Sequence, residues 1–345
     1  MEKYGYRFSF GPWNIHEGAD PFGPPVRAGW TFADKLNAYK NLGYDAVQFH
    51  DDDVVPDMAE LTPQQIRWAA QEMHKKLNAV GLAADFVAPR LWEHPLTIDG
   101  AYTANDATAR QYAWDRSKIC IDIAREMHSD LIVLWLAREG TYLREAKDVP
   151  QAMERLIAAV NMMLSYDPDI RIAIEPKPNE PVDLAYIPTI GHALALGAQT
   201  QDPSRVGVVM ESAHAVLAGL DPADEIGFAL AFGKLWNVHL NDQNGLKYDQ
   251  DRSFGSVNLR GAFNQVRVLE ENKYAEIGFV GMDVKALRTQ PADLATKHLR
   301  NSLDVFLRLV GLVRSLDKKR VNDLLAARDY EELDWLILNH LLRDA

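Results

Sequence analysis

Acidic and imidazole side chains recur at short spacings through the second half of the chain. Glu175 is followed by Lys177, Glu211 by His214, His239 by Asn241 and Asp242, Asp249 by Asp251, and Asp283 by Lys285. Any one carboxylate of this kind is ordinarily solvated or salt-bridged, so the set carries the signal and not its members. Glu175, Glu211, Asp249, Asp251, Asp283, His214 and His239 aimed into one cavity repel strongly unless cations sit among them, because buried charges must be paired or coordinate metal. Divalent metals are therefore expected. Carboxylate oxygens with one or two imidazoles suit Mg²⁺, Mn²⁺ or Co²⁺, and the lone Cys120 removes the usual thiolate zinc site. Five negative charges facing two divalent ions leave the cluster near neutral, the condition for both ions to stay bound.

Elements that could gather these residues are visible in the hydropathy pattern. Short apolar runs rich in β-branched residues alternate with longer segments of helical period up to about residue 314. The strand candidates are Arg7 to Trp13, Ala46 to His50, Ala83 to Val87, Leu131 to Trp135, Arg171 to Glu175, Val206 to Glu211, Leu235 to Leu240, and Glu276 to Asp283. Helical stretches include Pro63 to Val80, Ala107 to Met127, Val149 to Tyr166, Thr189 to Ala198, and Leu259 to Glu271. Parallel strands need crossover helices, so eight repeats of this kind predict an α/β fold, a (β/α)8 TIM barrel over residues 1–314. The rival is a doubly wound open sheet, weakened because no Gly-x-Gly-x-x-Gly turn follows a strand. In a barrel the carboxyl ends of the strands converge on one mouth, and these acidic and imidazole residues fall at or just after those ends. Residues 315–345 read as a charged helical tail, with Leu333, Trp335, Leu336, Leu338, Leu341 and Leu342 available to pack on the barrel or on a second subunit.

Charge and composition exclude several function classes. Thirty-seven basic against 49 acidic residues give a formal charge of −12, which argues against nucleic acid and anionic membrane surfaces as partners. No run approaches the roughly 18 to 20 apolar residues that span a bilayer, and the first ten residues do not resemble an export signal, so a cytoplasmic protein is expected. Cys120, in an apolar-rich stretch, is expected to be structural.

The motifs resemble those of the xylose isomerase family, two-metal aldose-ketose isomerases of barrel type. The likeness rests on Phe49-His50-Asp51-Asp52-Asp53, on Trp135 to Gly140, on Glu175-Pro176-Lys177-Pro178-Asn179-Glu180-Pro181, and on Lys247-Tyr248-Asp249-Gln250-Asp251. It extends from Arg7 to about Arg300, with a weaker echo in Tyr330 to Leu342. The resemblance implies that Glu175, Glu211, Asp283 and residue 239 hold a first divalent cation, and that Glu211 bridges to a second held by His214, Asp249 and Asp251. It assigns His50, oriented by Asp53, to sugar binding and ring opening, and Lys177 to the polarised carbonyl oxygen. Trp13, Trp92, Trp135 and Phe22 would line the sugar, with Phe22 supplied by a neighbouring subunit of a homo-oligomer, dimer or tetramer. The implied chemistry is a hydride shift between adjacent sugar carbons, with both oxygens clamped and solvent kept out by aromatic rings.

The chain departs from that pattern at several places. Histidine stands at 239 where the family carries an aspartate, which makes the set closer to the single tight site of rhamnose isomerases and ketose 3-epimerases. Trp92 replaces a phenylalanine, Ala88 a threonine, Arg90 an asparagine, and Val209 another asparagine. These changes read as retained metal chemistry with an altered sugar substrate. Arg90 could meet a phosphate or carboxylate on a modified sugar, or be salt-bridged to Glu93 or Asp85. Two alternatives remain open: a barrel sugar epimerase or lyase working by proton abstraction, and a sugar-binding protein whose catalysis has lapsed. The remaining histidines and the Lys318-Lys319-Arg320 cluster are expected on helix faces and surfaces.

Overall fold

The computed structural model describes residues 3–20, 22–246 and 248–342. Ten strands run in chain order: β1 (Phe8–Phe10), β2 (Ala46–His50), β3 (Ala83–Ala88), β4 (Leu131–Trp135), β5 (Gly140–Thr141), β6 (Arg171–Glu175), β7 (Leu184–Ala185), β8 (Val206–Glu211), β9 (Leu235–Leu240) and β10 (Val280–Met282). Eight of them close a parallel barrel in the order β1-β10-β9-β8-β6-β4-β3-β2, and β5 pairs with β7 in a small antiparallel ribbon beyond the rim. The predicted α/β class and barrel are thus what the chain forms. Register places Trp135 beside Glu175, Glu211 beside His239, and His239 beside Gly281, so the strand ends carry the charged side chains to one height.

Helices cross between strands where the 3.6 periodicity placed them: Pro63–Val80, Ala107–Glu126, Val149–Tyr166, Ile190–Ala198 and Leu259–Glu271. Their starts are chemically marked. Thr62, Asp106, Asp148, Thr189 and Asn258 each accept a hydrogen bond from a first-turn backbone N–H, and Gln65 completes a capping box with Thr62. Two very short helices, Asp51–Val54 and Ser212–Leu217, begin at the residue after a strand and turn His50, Asp53 and His214 over the mouth.

The first and last barrel strands are shorter than predicted. Pro12–Asn14 coils into a 3₁₀ turn, because Pro12 cannot donate to a ladder and the Asn14 side chain accepts from Gly11 N and donates to Val284 O. Tyr274–Glu276 is also 3₁₀, and Gly278 then passes so close to β9 that a Cβ there would lie 2.5 Å from the Trp236 carbonyl oxygen. Below the mouth the core is aromatic and aliphatic. Phe306, on the helix Lys297–Ser315, packs edge-on against Tyr6 and Phe8 at ring separations of 4.9 and 5.4 Å.

Two further helices follow, Lys318–Ala327 and Tyr330–Leu342, and Ile337 and Leu341 are buried in the same apolar cluster as the barrel core. The His340 ring nitrogen Nε2 lies 2.8 Å from Leu312 O. No helix among the described residues is long and apolar enough to cross a membrane.

His298, in the first turn of the helix Lys297–Ser315, is buried with Nε2 2.9 Å from Asn14 O. Burial pushes its imidazole down to about 4, from an ordinary value of 6.5. As pH falls from 6.5 towards 4 the unfolded chain takes up a proton that the folded chain refuses, so stability is lost in that window. Urea unfolding should show His298 costing roughly 2 kcal/mol between pH 7 and pH 5. The loss should shrink by that amount in His298→Gln, and an unchanged loss in the variant would refute the assignment.

Candidate active site

The carboxyl ends of the barrel strands enclose a cavity of about 460 Å³. Glu175 ends β6, Glu211 ends β8, His239 is the penultimate residue of β9, and Asp283 follows β10 directly. All four line the cavity, as do His214, Asp249 and Asp251. The seven residues expected to hold cations therefore share one wall.

Their ligand atoms form three overlapping groups, each within 4.8 Å: Glu175 with Glu211 and His214, Glu211 with His239 and Asp283, and Glu211 with Asp249 and Asp251. Glu211 belongs to every group. His239 Nδ1 lies 3.6 Å from both Glu175 and Glu211, and neither of its ring nitrogens has a hydrogen-bond partner among the described residues. His214 Nε2 is 3.1 Å from Asp249 and 3.3 Å from Glu211, while its Nδ1 and Asp249 Oδ1 are also unpartnered. Buried nitrogens with lone pairs facing carboxylates are suited to a cation, so the residues present fit a divalent ion.

The charges left on these side chains show how crowded they are. Burial pushes Glu211 well up from the usual carboxylate range, with Asp283 and Asp249 adding to the effect. Burial and the neighbouring Asp249 raise Asp251 to about 8, although Lys285 opposes them. Burial alone would lower His214 and raise Glu175, but Glu211 and Asp249 lift the imidazole to about 9, and His239 draws the carboxyl down to about 2. Protons thus occupy positions that a cation would otherwise neutralise.

The two halves of the cluster differ in their partners. Lys177 Nζ lies 2.9 Å from Asp249 and 3.1 Å from Glu180, and Lys285 Nζ lies 2.9 Å from Asp251. Among the described residues no lysine or arginine pairs with Glu175, Glu211 or Asp283; Trp13 Nε1 donates to Asp283 at 2.8 Å. One residue not singled out from the sequence ties the halves together. Asn241 Nδ2 donates to Glu211 Oε1 at 2.9 Å, to Asp251 Oδ1 at 3.1 Å and to Asp283 O at 3.0 Å, while its Oδ1 accepts from Ala213 N. Its place two residues after His239 was the available signal, because alternation puts both on the inner face of the strand end.

Aromatic rings adjoin the carboxylates, Trp135 beside Glu175 and Trp13 at Asp283. His50 lies 4.5 Å from the Trp13 ring and 5.1 Å from Trp92, and Trp92 meets Trp135 edge-on at 4.5 Å. Lys177 sits 5.1 Å over Trp135. Asp53 accepts from His50 N at 3.0 Å and lies 2.9 Å from His50 Nδ1. Burial would raise the Asp53 carboxyl, but its bonds with His50 and the charge of Arg90 bring it below the usual range. Arg90 lines the cavity and is held by Asp52 at 2.7 Å, Asp53 at 3.2 Å and Glu93 at 3.3 Å. Of its two expected settings, the salt-bridged one is present, with Asp52 and Asp53 in place of Asp85. Phe22 is 93% exposed and is not part of this cavity. Of the motif Lys247 to Asp251, Lys247 lies outside the described residues.

A closed parallel barrel with an acid- and imidazole-lined mouth defines the structural class. The chain belongs to the xylose isomerase-like TIM barrel family, whose model matches residues 36–307, and it is a divergent member of it. Among solved structures it is similar to a D-tagatose 3-epimerase-like protein, with 15% identity, a TM-score of 0.65, and coverage of 88% of this chain and 98% of that one. It is also similar to an L-ribulose 3-epimerase, at 14% identity and a TM-score of 0.62 over 94% of this chain and 99% of that one. A 3-keto-D-glucoside 4-epimerase from E. coli, in its apo form, gives 13% identity and a TM-score of 0.61 over 88% and 98%. At such identities the likeness is one of fold.

Because every group shares Glu211, that residue should control cation binding. Titrating Mn²⁺ to a hundredfold above its dissociation constant should stabilise the chain by about 2.7 kcal/mol in urea unfolding. The gain should largely vanish in Glu211→Gln, and an equal gain in that variant would remove the cluster as the binding site.

Proposed function

We propose that the protein is a divalent-cation-dependent sugar isomerase in the broad sense, and that it epimerises a ketose by moving a proton on the carbon beside the carbonyl. The observation that carries this reading is the division of charge in the mouth. Lysines pair with Asp249 and Asp251, whereas the ion pairs of Glu175 and Glu211 among the described residues are with the imidazoles of His214 and His239, and Asp283 is held by the Trp13 indole. Glu175, Glu211, His239 and Asp283 would therefore hold the more strongly bound ion. The chemistry a divalent cation supplies in such a set is polarisation of a carbonyl and orientation of the neighbouring hydroxyls.

The chain's own residues supply the rest. Proton abstraction next to a carbonyl needs a positioned base, and epimerisation needs a second group to return the proton from the other side. Glu175 and Asp283 stand on strand ends separated by β8 and β9, so they flank a substrate lying over His239 from two directions. Trp13 fixes Asp283 through its indole N–H, and the aromatic wall excludes water from the reacting carbon. Lys177, extended over Trp135, is placed to meet a carbonyl or hydroxyl oxygen. The fold shared with a D-tagatose 3-epimerase-like protein and an L-ribulose 3-epimerase supports the same reading.

The aldose-ketose hydride shift is the second reading. It is favoured by the outer group of Glu211, Asp249 and Asp251, which keeps its atoms within 4.8 Å with His214 beside it. That shift needs the second cation and the carbonyl contact of Lys177, but no carbon-bound proton leaves.

Solvent exchange separates the two. Incubation of the Mn²⁺-loaded protein in D₂O with a panel of ketoses and aldoses should place deuterium on the carbon that inverts, read by ¹H NMR. Glu175→Gln and Asp283→Asn should slow that exchange by about 10²- to 10⁴-fold. Conversion without deuterium uptake would establish the hydride shift instead, and no conversion or exchange across the panel would sink both.

A further inference from the structure

Beside the mouth lies a second cavity, of about 240 Å³, which shares one lining residue with the first: Lys285 faces both. Its other walls come from the loop after β9, with Arg252, Ser253 and Ser256, and from the start of the helix Lys297–Ser315, with Lys297 and His298. The loops after β9 and β10 follow the seventh and eighth strands of the barrel in chain order.

The cavity is cationic, and besides Lys285, which pairs with Asp251, it holds two uncommitted cations. Arg252 is half-buried, and neither its guanidinium nor the Lys297 ammonium forms a hydrogen bond or ion pair with any described residue. The chain carries 12 more acidic than basic side chains, yet no described carboxylate pairs with either group. The hydroxyls of Ser253 and Ser256 are likewise without a described partner. The helix presents its N-terminal end here, and Thr296 gives it no side-chain cap, so the positive end of the helix dipole adds to the two side-chain charges. His298 is 5% exposed and lines the cavity, and its Nδ1 is a buried atom with no partner. With Nε2 donating to Asn14 O, Nδ1 is left as an acceptor, suited to a hydroxyl. In (β/α)8 barrels generally, the loops after the last two strands and a helix N-terminus are a recurring place for phosphate.

We propose that this cavity is a phosphate subsite, taking either the phosphate group of a phosphorylated sugar whose carbon chain reaches into the mouth past Lys285, or a free phosphate ion. Arg252 and Lys297 would supply the charge, Ser253 and Ser256 the neutral donors, and His298 an acceptor for a hydroxyl carried by the ligand. Assignment to the substrate rests on the reaction proposed above; the anion site does not.

The test is calorimetric and independent of turnover. Inorganic phosphate should bind the Mg²⁺-loaded full chain at low ionic strength, and Arg252→Gln and Lys297→Gln should each weaken it about tenfold, the cost of one charge-assisted contact. Ser256→Glu, which adds a carboxylate at an exposed position and removes no packing, should abolish it, with unchanged melting showing that the chain is folded. Fructose 6-phosphate and fructose then separate the sources. A tighter grip on the phosphate ester that is lost in Arg252→Gln assigns the site to substrate, and equal grip on the two with retained phosphate binding assigns it to the free ion. No phosphate binding, or binding unchanged in all three variants, overturns the proposal. Failure of deuterium exchange would touch only the reaction.

Discussion

The structure around the barrel mouth is governed by the repulsion among carboxylates that converge on Glu211. That residue is 3% exposed and shares each of the three ligand groups, so every neighbouring charge acts on it in a medium that screens poorly. Side chains alone answer the repulsion in two ways. Lys177 and Lys285 pair with the outer carboxylates, although Asp251 is still pushed up, and inside the mouth Glu211 is pushed towards its protonated form while His239 is pushed towards its charged one and holds Glu175 low. The first answer is fixed by covalent structure and the second is exchangeable. A divalent ion can displace protons from the inner set at less electrostatic cost than it can displace two lysines from the outer one, which is why the inner set takes precedence in the functional reading.

The floor beneath that set is consistent with a histidine at 239. Its ring stacks on Phe86 at 5.7 Å, and Phe86 belongs to a small apolar cluster with Ala88, Val133, Ala173 and Val209 inside the barrel. Below it a polar layer begins, where Ser9 donates to Asp85 at 2.6 Å and Asn237 donates to the same oxygen at 2.9 Å. Burial raises the Asp85 carboxyl, opposed by its hydrogen bonds with Ser9 and Asn237. A carboxylate at 239 would stand between an apolar cluster and a second acid, whereas a neutral imidazole offers a ligand nitrogen without adding negative charge. Val209 and Ala88 therefore belong with His239 as one local change of polarity.

Much of the barrel was legible in the sequence because its strands are short, apolar and buried on both faces. The run Leu131 to Trp135 has no alternative period to compete, and its predicted bounds equal the observed ones. The same apolarity overextended the first and last strands, where Pro12 and the close passage of Gly278 decide the ends by backbone geometry and not by hydropathy. Strand-end chemistry was legible for a related reason: once the barrel is granted, position in the chain dictates height in the mouth, and Glu175, Glu211 and His239 needed no further information. Asn241 was visible as a polar strand-end residue but not as the link within the cluster, because its three acceptors are assembled from distant segments. The helices Asp51–Val54 and Ser212–Leu217 are too short for periodicity to register.

Two arginines show where sequence reasoning reaches its limit. Arg90 stands in the mouth, where the sequence left contact with an anionic sugar group and a salt bridge both open, and Nε is taken by Asp52, Nη1 by Glu93, and Nη2 by Asp53. Three of its N–H groups meet carboxylates, two of them on the histidine turn, so its charge is cancelled before any ligand arrives. Arg252 sits in a loop with acidic residues beside it in the chain, Asp249 and Asp251. Those acids face inward to Lys177 and Lys285, and Asp251 adopts a left-handed backbone, with φ of 43°, as the chain turns between them. The turn sends Asp251 and Arg252 into different cavities. What separates an anion-binding arginine from a structural one here is which carboxylates the fold has already committed elsewhere, and that is a property of the closed barrel rather than of any local stretch of chain.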